Sequence, residues 1–190
     1  MVAAVTRAIE VPERIAGDRV LLRPLEPGDA GSWAAAMVDD PNLGPAWGIE
    51  RDPDEAQLLG RIERSAECPA EGRGVELAIA DRASNALLGT VILHSIDWRH
   101  ERAEIGFWLT PGARGHGAAA EGVGLMVAWG FDDLGLHRIE MVTLPALPSF
   151  PRVLALAKRL GFRQEGVMRE RNFERGVRRD AMMLARLRDD

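Results

Sequence analysis

The sequence predicts an α+β fold with one central mixed sheet flanked by helices, and three observations carry that expectation. At 190 residues and 20.8 kDa the chain has the length of one domain, and 46% apolar with 28% charged residues is the balance of a globular chain rather than a disordered one. Its segment signals run β, α, α, three β, α, β, α, two β, which is not the regular alternation of a parallel α/β sheet. The three consecutive strand signals are joined by turns too short for crossovers, so they read as an antiparallel meander.

The elements follow in chain order. Residues 1–16, interrupted by Pro12, read as a tail ahead of a domain over 17–190. Arg19-Val20-Leu21-Leu22-Arg23-Pro24-Leu25 alternates as a strand ending near Pro24. Glu26-Pro27-Gly28-Asp29 is a turn, with Asp29 placed to cap a helix over about 30–38. Asp40-Pro41-Asn42-Leu43-Gly44-Pro45 is loop, and Asp52-Pro53-Asp54-Glu55 opens a second helix reaching about residue 67. Strands are expected at 75–81, 87–97 and 102–109, then a helix over 118–134 stopped at Gly135. A strand at 137–144, a helix within 148–160, and strands at 162–169 and 178–187 complete the order.

Composition narrows the function classes. The net charge is -5, but it is uneven: residues 1–149 carry 13 basic and 23 acidic side chains, residues 150–190 carry 11 and 6. A globally acidic chain is a poor nonspecific nucleic-acid binder, and solvated faces account for the basic end, so no direct nucleic-acid binding is expected. No apolar run approaches the ~20 residues of a membrane span, so no membrane partner is expected. The single Cys68 rules out an internal disulfide framework and a cysteine-rich zinc site; no metal is expected, and a cytoplasmic location is. Tyrosine is absent.

The chemistry concentrates in Leu109-Thr110-Pro111-Gly112-Ala113-Arg114-Gly115-His116-Gly117-Ala118-Ala119-Ala120. A strand enters a glycine-rich loop, and the loop opens a helix. Without Cβ atoms the main-chain N–H groups can converge, the first helical turn adds unpaired amides, and the helix dipole favours an anion there. A phosphate or pyrophosphate is the natural occupant, with Arg114 as a further cation. A Walker loop is excluded, because no Gly-Lys-Ser/Thr follows. A dinucleotide fingerprint fits Gly115-His116-Gly117-Ala118-Ala119-Ala120 with Glu140 beyond it, but the preceding strands read as hairpins rather than as the opening of a βαβ unit.

Arg114-Gly115-His116-Gly117-Ala118-Ala119 resembles the Arg/Gln-x-x-Gly-x-Gly/Ala signature of the GNAT superfamily of acyl-CoA-dependent N-acyltransferases, in its RimJ/RimL branch. Supporting segments are Leu21-Leu22-Arg23-Pro24-Leu25, Ala103-Glu104-Ile105-Gly106-Phe107-Trp108-Leu109, Leu134-Gly135-Leu136-His137-Arg138-Ile139-Glu140, Lys158-Arg159-Leu160-Gly161-Phe162 and Arg178-Arg179-Asp180-Ala181. The resemblance spans about residues 17–187. It implies a mostly antiparallel sheet whose splayed strands hold acyl-CoA: Phe107, Trp108, Leu109 and Thr110 flank the pantetheine arm. The amides of Arg114, Gly115, His116, Gly117, Ala118 and Ala119 hold the pyrophosphate. A neutral amine then attacks the thioester directly, which needs a base, donors for the thioester oxygen and an acid for the thiolate.

Glu104 is the expected base, and its alternative is a cross-strand charge partner to an Arg. Many relatives use a Tyr as the thiol acid, which this chain lacks. The branch's Asn-x-x-Ser falls on Phe150 and Val153 when counted back from Gly161-Phe162, and Ser149 occupies that space when counted forward from His137, so Ser149 or water is the expected acid. Trp33, Trp47, Phe173 and His94 are candidate walls for the acceptor. The implied function is acetyl-CoA-dependent N-acetylation of a primary amine, a protein N-terminus or a small molecule, with a homodimer as an open expectation. A non-catalytic acyl-CoA-binding module is the alternative.

Overall fold

The computed structural model describes residues 7–40, 53–174 and 176–190. Strands β1 (Ile15–Ala16), β2 (Val20–Pro24), β3 (Gly74–Asp81), β4 (Leu87–Asp97), β5 (Arg102–Leu109), β6 (Arg138–Thr143), β7 (Arg163–Glu174) and β8 (Val177–Leu187) form one sheet in the order β1-β2-β3-β4-β5-β6-β8-β7. Every neighbouring pair is antiparallel except β5 and β6. The described helices are α1 (Asp29–Asp39), α2 (Glu55–Ser65), α3 (Ala118–Asp132) and α4 (Phe150–Arg159).

The two faces of the sheet have separate cores. On one, Val123, Met126 and Val127 of α3 pack with Ile79, Val91, Leu93, Ile105 and Ile139. Helix α3 lies close because it is apolar on most of its surface and carries Gly122 at the contact, where a Cβ would come within 2.9 Å of Ile79. On the other face, Trp33 and Met37 of α1 and Leu58 and Ile62 of α2 pack on Ala78 and Trp108. Alternation along β5 sends Ala103 and Ile105 to the first core and Trp108 to the second.

Several expectations need correction. The segment expected as a tail is anchored from residue 7 onward: Ile9 is buried, its N–H donates to the Pro69 carbonyl at 2.8 Å, and β1 pairs with β2. Asp29 does not cap α1. Its buried carboxylate takes two bonds from the Arg23 guanidinium at 2.8 and 2.9 Å and one from the Glu26 N–H at 2.9 Å. Helix α2 begins at Glu55, capped by Asp54 in a reciprocal box with Gln57. Strand β7 runs to Glu174, five residues beyond the expected end, because a turn around Gly176 (φ +78°) lets the hairpin continue past β6.

The expectation that the glycine loop opens no βαβ unit is also overturned. Strand β5, helix α3 and strand β6 form a parallel crossover. The pairing is short, joining only Arg102 to Arg138, Ala103 to Ile139 and Glu104 to Glu140. Beyond that point β5 stays with β4 as far as Leu109, while β6 stays with β8 as far as Thr143. The sheet therefore splits along its middle into a wedge.

Candidate active site

The wedge holds a cavity of about 180 Å³ lined by residues that include Glu104, Gly106, Phe107, Thr143, Ser149 and His94. The splay leaves the β6-facing main-chain groups of residues 105–109 without a ladder partner, so this edge of β5 can hydrogen-bond an inserted chain. A larger open concavity of about 580 Å³ lies at the C-terminal end of α4 among Lys158, Arg159, Arg163 and Arg186, and contains none of the expected site residues.

At the wedge's entrance stands the glycine loop. Gly115 and Gly117 have φ of +84° and +89°, left-handed values at which a side chain is strained. Gly117 occupies the N-cap position of α3 and offers no side-chain cap, so the first-turn amides of Ala118, Ala119 and Ala120 have no intrahelical partner. Residues 115–117 are exposed, and a Cβ on Gly115 would meet nothing within 4 Å. The nest is open and its dipole is positive, which fits a pyrophosphate.

Arg114 does not present its charge to this nest. Its Nε and one terminal nitrogen donate to the Leu109 carbonyl at 3.1 and 2.8 Å, and the other terminal nitrogen pairs with Asp40 at 2.6 Å. The guanidinium thus fastens the end of β5 to the loop and to the end of α1. Beside the nest the cation is Arg19, which sequence reasoning passed over: its guanidinium donates to the His116 carbonyl at 3.0 Å and lies 3.5 Å from where a Gly117 Cβ would stand. Glu121, in the first turn of α3, accepts from the Arg19 N–H at 2.9 Å, fixing β2 to the loop helix. No motif spacing links Arg19 to the loop, since the contact spans 97 residues.

At the base of the wedge, His94, Glu104 and Glu140 lie in one row across β4, β5 and β6. Arg138 and Arg102 both turn to Glu140, at 2.7 and 3.7 Å. Arg138 also binds Glu165 and holds that carboxyl below its usual range. Among the described residues Glu104 therefore has no arginine partner. Among the described residues it accepts no hydrogen bond, and its ionic neighbour is His94, whose Nε2 lies 3.8 Å from Glu104 Oε1. The cross-strand Arg pairing weighed for Glu104 belongs to its neighbour Glu140 instead.

Other expected residues divide. Phe107 lines the wedge, whereas the Trp108 ring turns to the opposite core and packs on Trp33 with centroids 5.3 Å apart. Leu109 is buried in the first core, and the Thr110 N–H donates to the Leu88 carbonyl at 2.8 Å. Trp33 is 1% exposed and forms core rather than an open wall. Trp47 lies outside the described residues. Phe173 is exposed near the end of the β7–β8 hairpin, under the Arg178 guanidinium. Ser149 faces the wedge at the start of α4 together with Val153, while Phe150 packs against the first core. On the α1–α2 face, buried Glu76 is satisfied by Thr90 Oγ1 at 2.8 Å and Arg61 at 3.3 Å.

Comparison with known proteins gives the same picture. The model of the acetyltransferase (GNAT) domain family matches residues 19–163. The uncharacterized N-acetyltransferase YoaA of Bacillus subtilis is 31% identical over 160 residues, covering 84% of this chain and 88% of its own. Among solved structures, a RimL ribosomal L7/L12 alpha-N-protein acetyltransferase in complex with coenzyme A superposes with a TM-score of 0.81 at 17% identity, over 92% of this chain and 98% of that one. Mycobacterium smegmatis RimJ, in complex with CoA-disulfide, gives 0.78 at 21% identity, over 97% and 87%. At these identities the two structures speak for the fold.

Proposed function

The chain belongs to the GNAT acetyltransferase family and is an acetyltransferase, and on that premise we propose that it transfers acetyl from acetyl-CoA to a primary amine by direct attack on the thioester. The observation that carries this reading is the split between β5 and β6 with the glycine nest at its entrance and, at its base, a carboxylate that accepts no hydrogen bond among the described residues. The amides of residues 115–119, helped by Arg19, receive the pyrophosphate. The pantetheine arm pairs with the free edge of β5 beside Phe107, much as a missing strand would. Acetyl-CoA supplies the activated acyl carbon.

The remaining steps fall to side chains. An amine reaches the cleft as an ammonium ion and must lose a proton before its lone pair can attack. Glu104, at the point where β5 and β6 part, is the base. Main-chain N–H groups of β5 left without partners stabilise the thioester oxygen as charge builds on it. Collapse expels a thiolate, and Ser149 on the facing wall donates or relays its proton. Thiolates leave readily, so this last contribution is the smallest. The acceptor approaches from the α1–α2 face, toward which β5 directs the Glu104 carboxylate, a group suited to a cation.

The test is to supply acetyl-CoA with a panel of amines: short peptides with free N-termini, a polyamine and an amino sugar. Release of free thiol matched by one acetyl group on the amine is expected. Tight acetyl-CoA binding without transfer to any amine would instead favour a binding module.

A further inference from the structure

His94 and Ser95 sit where the regular pairing of β4 with β5 breaks. The register runs to His94 opposite Glu104 and resumes at Asp97 opposite Arg102, so Ser95 and Ile96 together oppose Ala103. This is a β-bulge, and its cost is visible: Ser95 has φ +53°, a left-handed value that a non-glycine residue adopts at about 1 kcal/mol or more. The bulge returns Ile96 to the first core and turns Ser95 out to solvent. It also places Ser95 Oγ 3.0 Å from His94 Nδ1, while the other ring nitrogen faces Glu104 at 3.8 Å. The ring is thus held at one end by an exposed hydroxyl and directed at the other toward the proposed base.

We propose that His94, oriented by Ser95, is the relay that carries the amine's proton from Glu104 to solvent. The inference rests on Glu104 being the base. Assigning the Nδ1 proton to the bond with Ser95 Oγ leaves Nε2 as a bare acceptor opposite a carboxylate. Two lone-pair groups form no hydrogen bond with each other, and here they stand 3.8 Å apart. A proton arriving on Glu104 converts the pair to a donor and an acceptor, and a small rotation closes the gap to hydrogen-bond distance. The imidazolium then loses the proton to water at its exposed side, since the His94 side chain is 37% exposed and Glu104 only 23%.

The balance of the reaction requires that a proton leave the site at each turnover. An ammonium ion brings three protons on nitrogen. One stays in the amide, one leaves with the thiol, and one is released at every turnover. Without a path outward, Glu104 stays protonated and the next ammonium ion cannot be deprotonated. Groups facing the relay from neighbouring strands are Glu104 on β5 and, one strand further, Glu140, whose charge is met by Arg138 and Arg102. Beyond the bulge Asp97 is engaged with His100 at 2.9 Å and Arg102 at 3.6 Å.

The experiment compares His94→Gln, His94→Ala and Glu104→Gln, using as acceptors short peptides with free N-termini, a polyamine and hydroxylamine, which is uncharged at neutral pH. For the alkylammonium acceptors, His94→Gln is expected to lower kcat about ten- to a hundred-fold with KM for both substrates unchanged. Transfer to hydroxylamine should be far less affected, and added imidazole should restore part of the His94→Ala rate. If Glu104→Gln is slow while His94→Gln keeps the wild-type kcat, the relay is overturned and the base stands. A rise in KM alone, or a slow His94→Ala enzyme that imidazole does not rescue, makes His94 a wall residue and also overturns it. Wild-type rates in Glu104→Gln, or no transfer to any amine, remove the base and the relay together.

Discussion

On the donor side of the wedge the groups offered to a ligand belong to the main chain: the amides of the glycine loop, the first turn of α3 and the free edge of β5. On the acceptor side they belong to side chains: Glu104 and His94 at the base of the wedge. In the proposed reaction the difference reflects the task. A pyrophosphate is the same in every acyl-CoA, and main-chain N–H groups at fixed spacing bind it whatever the surrounding side chains are. An amine must be selected and deprotonated, which needs a carboxylate and groups that tune it. Substitutions on the two sides should therefore fail in different ways.

The largest effect is expected at the anchor of the acceptor side, where Arg23 and Asp29 are both buried and doubly bonded. Arg23→Ala leaves an uncompensated carboxylate and should lower stability in urea unfolding by about 3–5 kcal/mol. Glu104→Gln should come next, slowing turnover by roughly 10²–10³-fold with acetyl-CoA affinity unchanged, as a calorimetric titration beside a steady-state assay would show. Gly117→Val should do the reverse. Its left-handed φ opposes a Cβ by about 1–2 kcal/mol, and with the amides disturbed acetyl-CoA binding should weaken about ten- to a hundred-fold while the fold survives. Ser149→Ala should be mildest, within about ten-fold in kcat; a larger loss would make the hydroxyl an obligatory acid.

The same contrast decides what could be read from the sequence. Main-chain sites leave a local signature, because glycines at fixed spacing before a helix are required by the geometry itself, and the left-handed turns at Gly115 and Gly117 ahead of α3 were legible for that reason. The element order was legible too, since it rests on periodicity and turn residues. Side-chain sites assemble across strands. The approach of His94 to Glu104 depends on register and on a bulge at Ser95 that no turn residue marks. The clamp of Arg19 on His116 joins residues 97 apart. Arg114 was read as a phosphate cation from its place in the motif, yet its guanidinium turns back to Leu109 and Asp40. A motif fixes a residue's position along the chain but not the rotamer its surroundings select. The buried neighbours of Trp108 likewise place its ring away from the wedge that its strand lines.

The central claim is that the split between β5 and β6, closed at one end by the glycine nest, is an acetyl-CoA site. Calorimetric titration of acetyl-CoA into the wild-type protein and into Gly117→Val tests it most directly. The account predicts saturable one-to-one binding in the micromolar range for the wild type, and a clear loss of affinity in the variant, which still unfolds cooperatively with stability lowered by about 1–2 kcal/mol. Absence of binding by the folded wild-type protein, or equal affinity in the two, would contradict it.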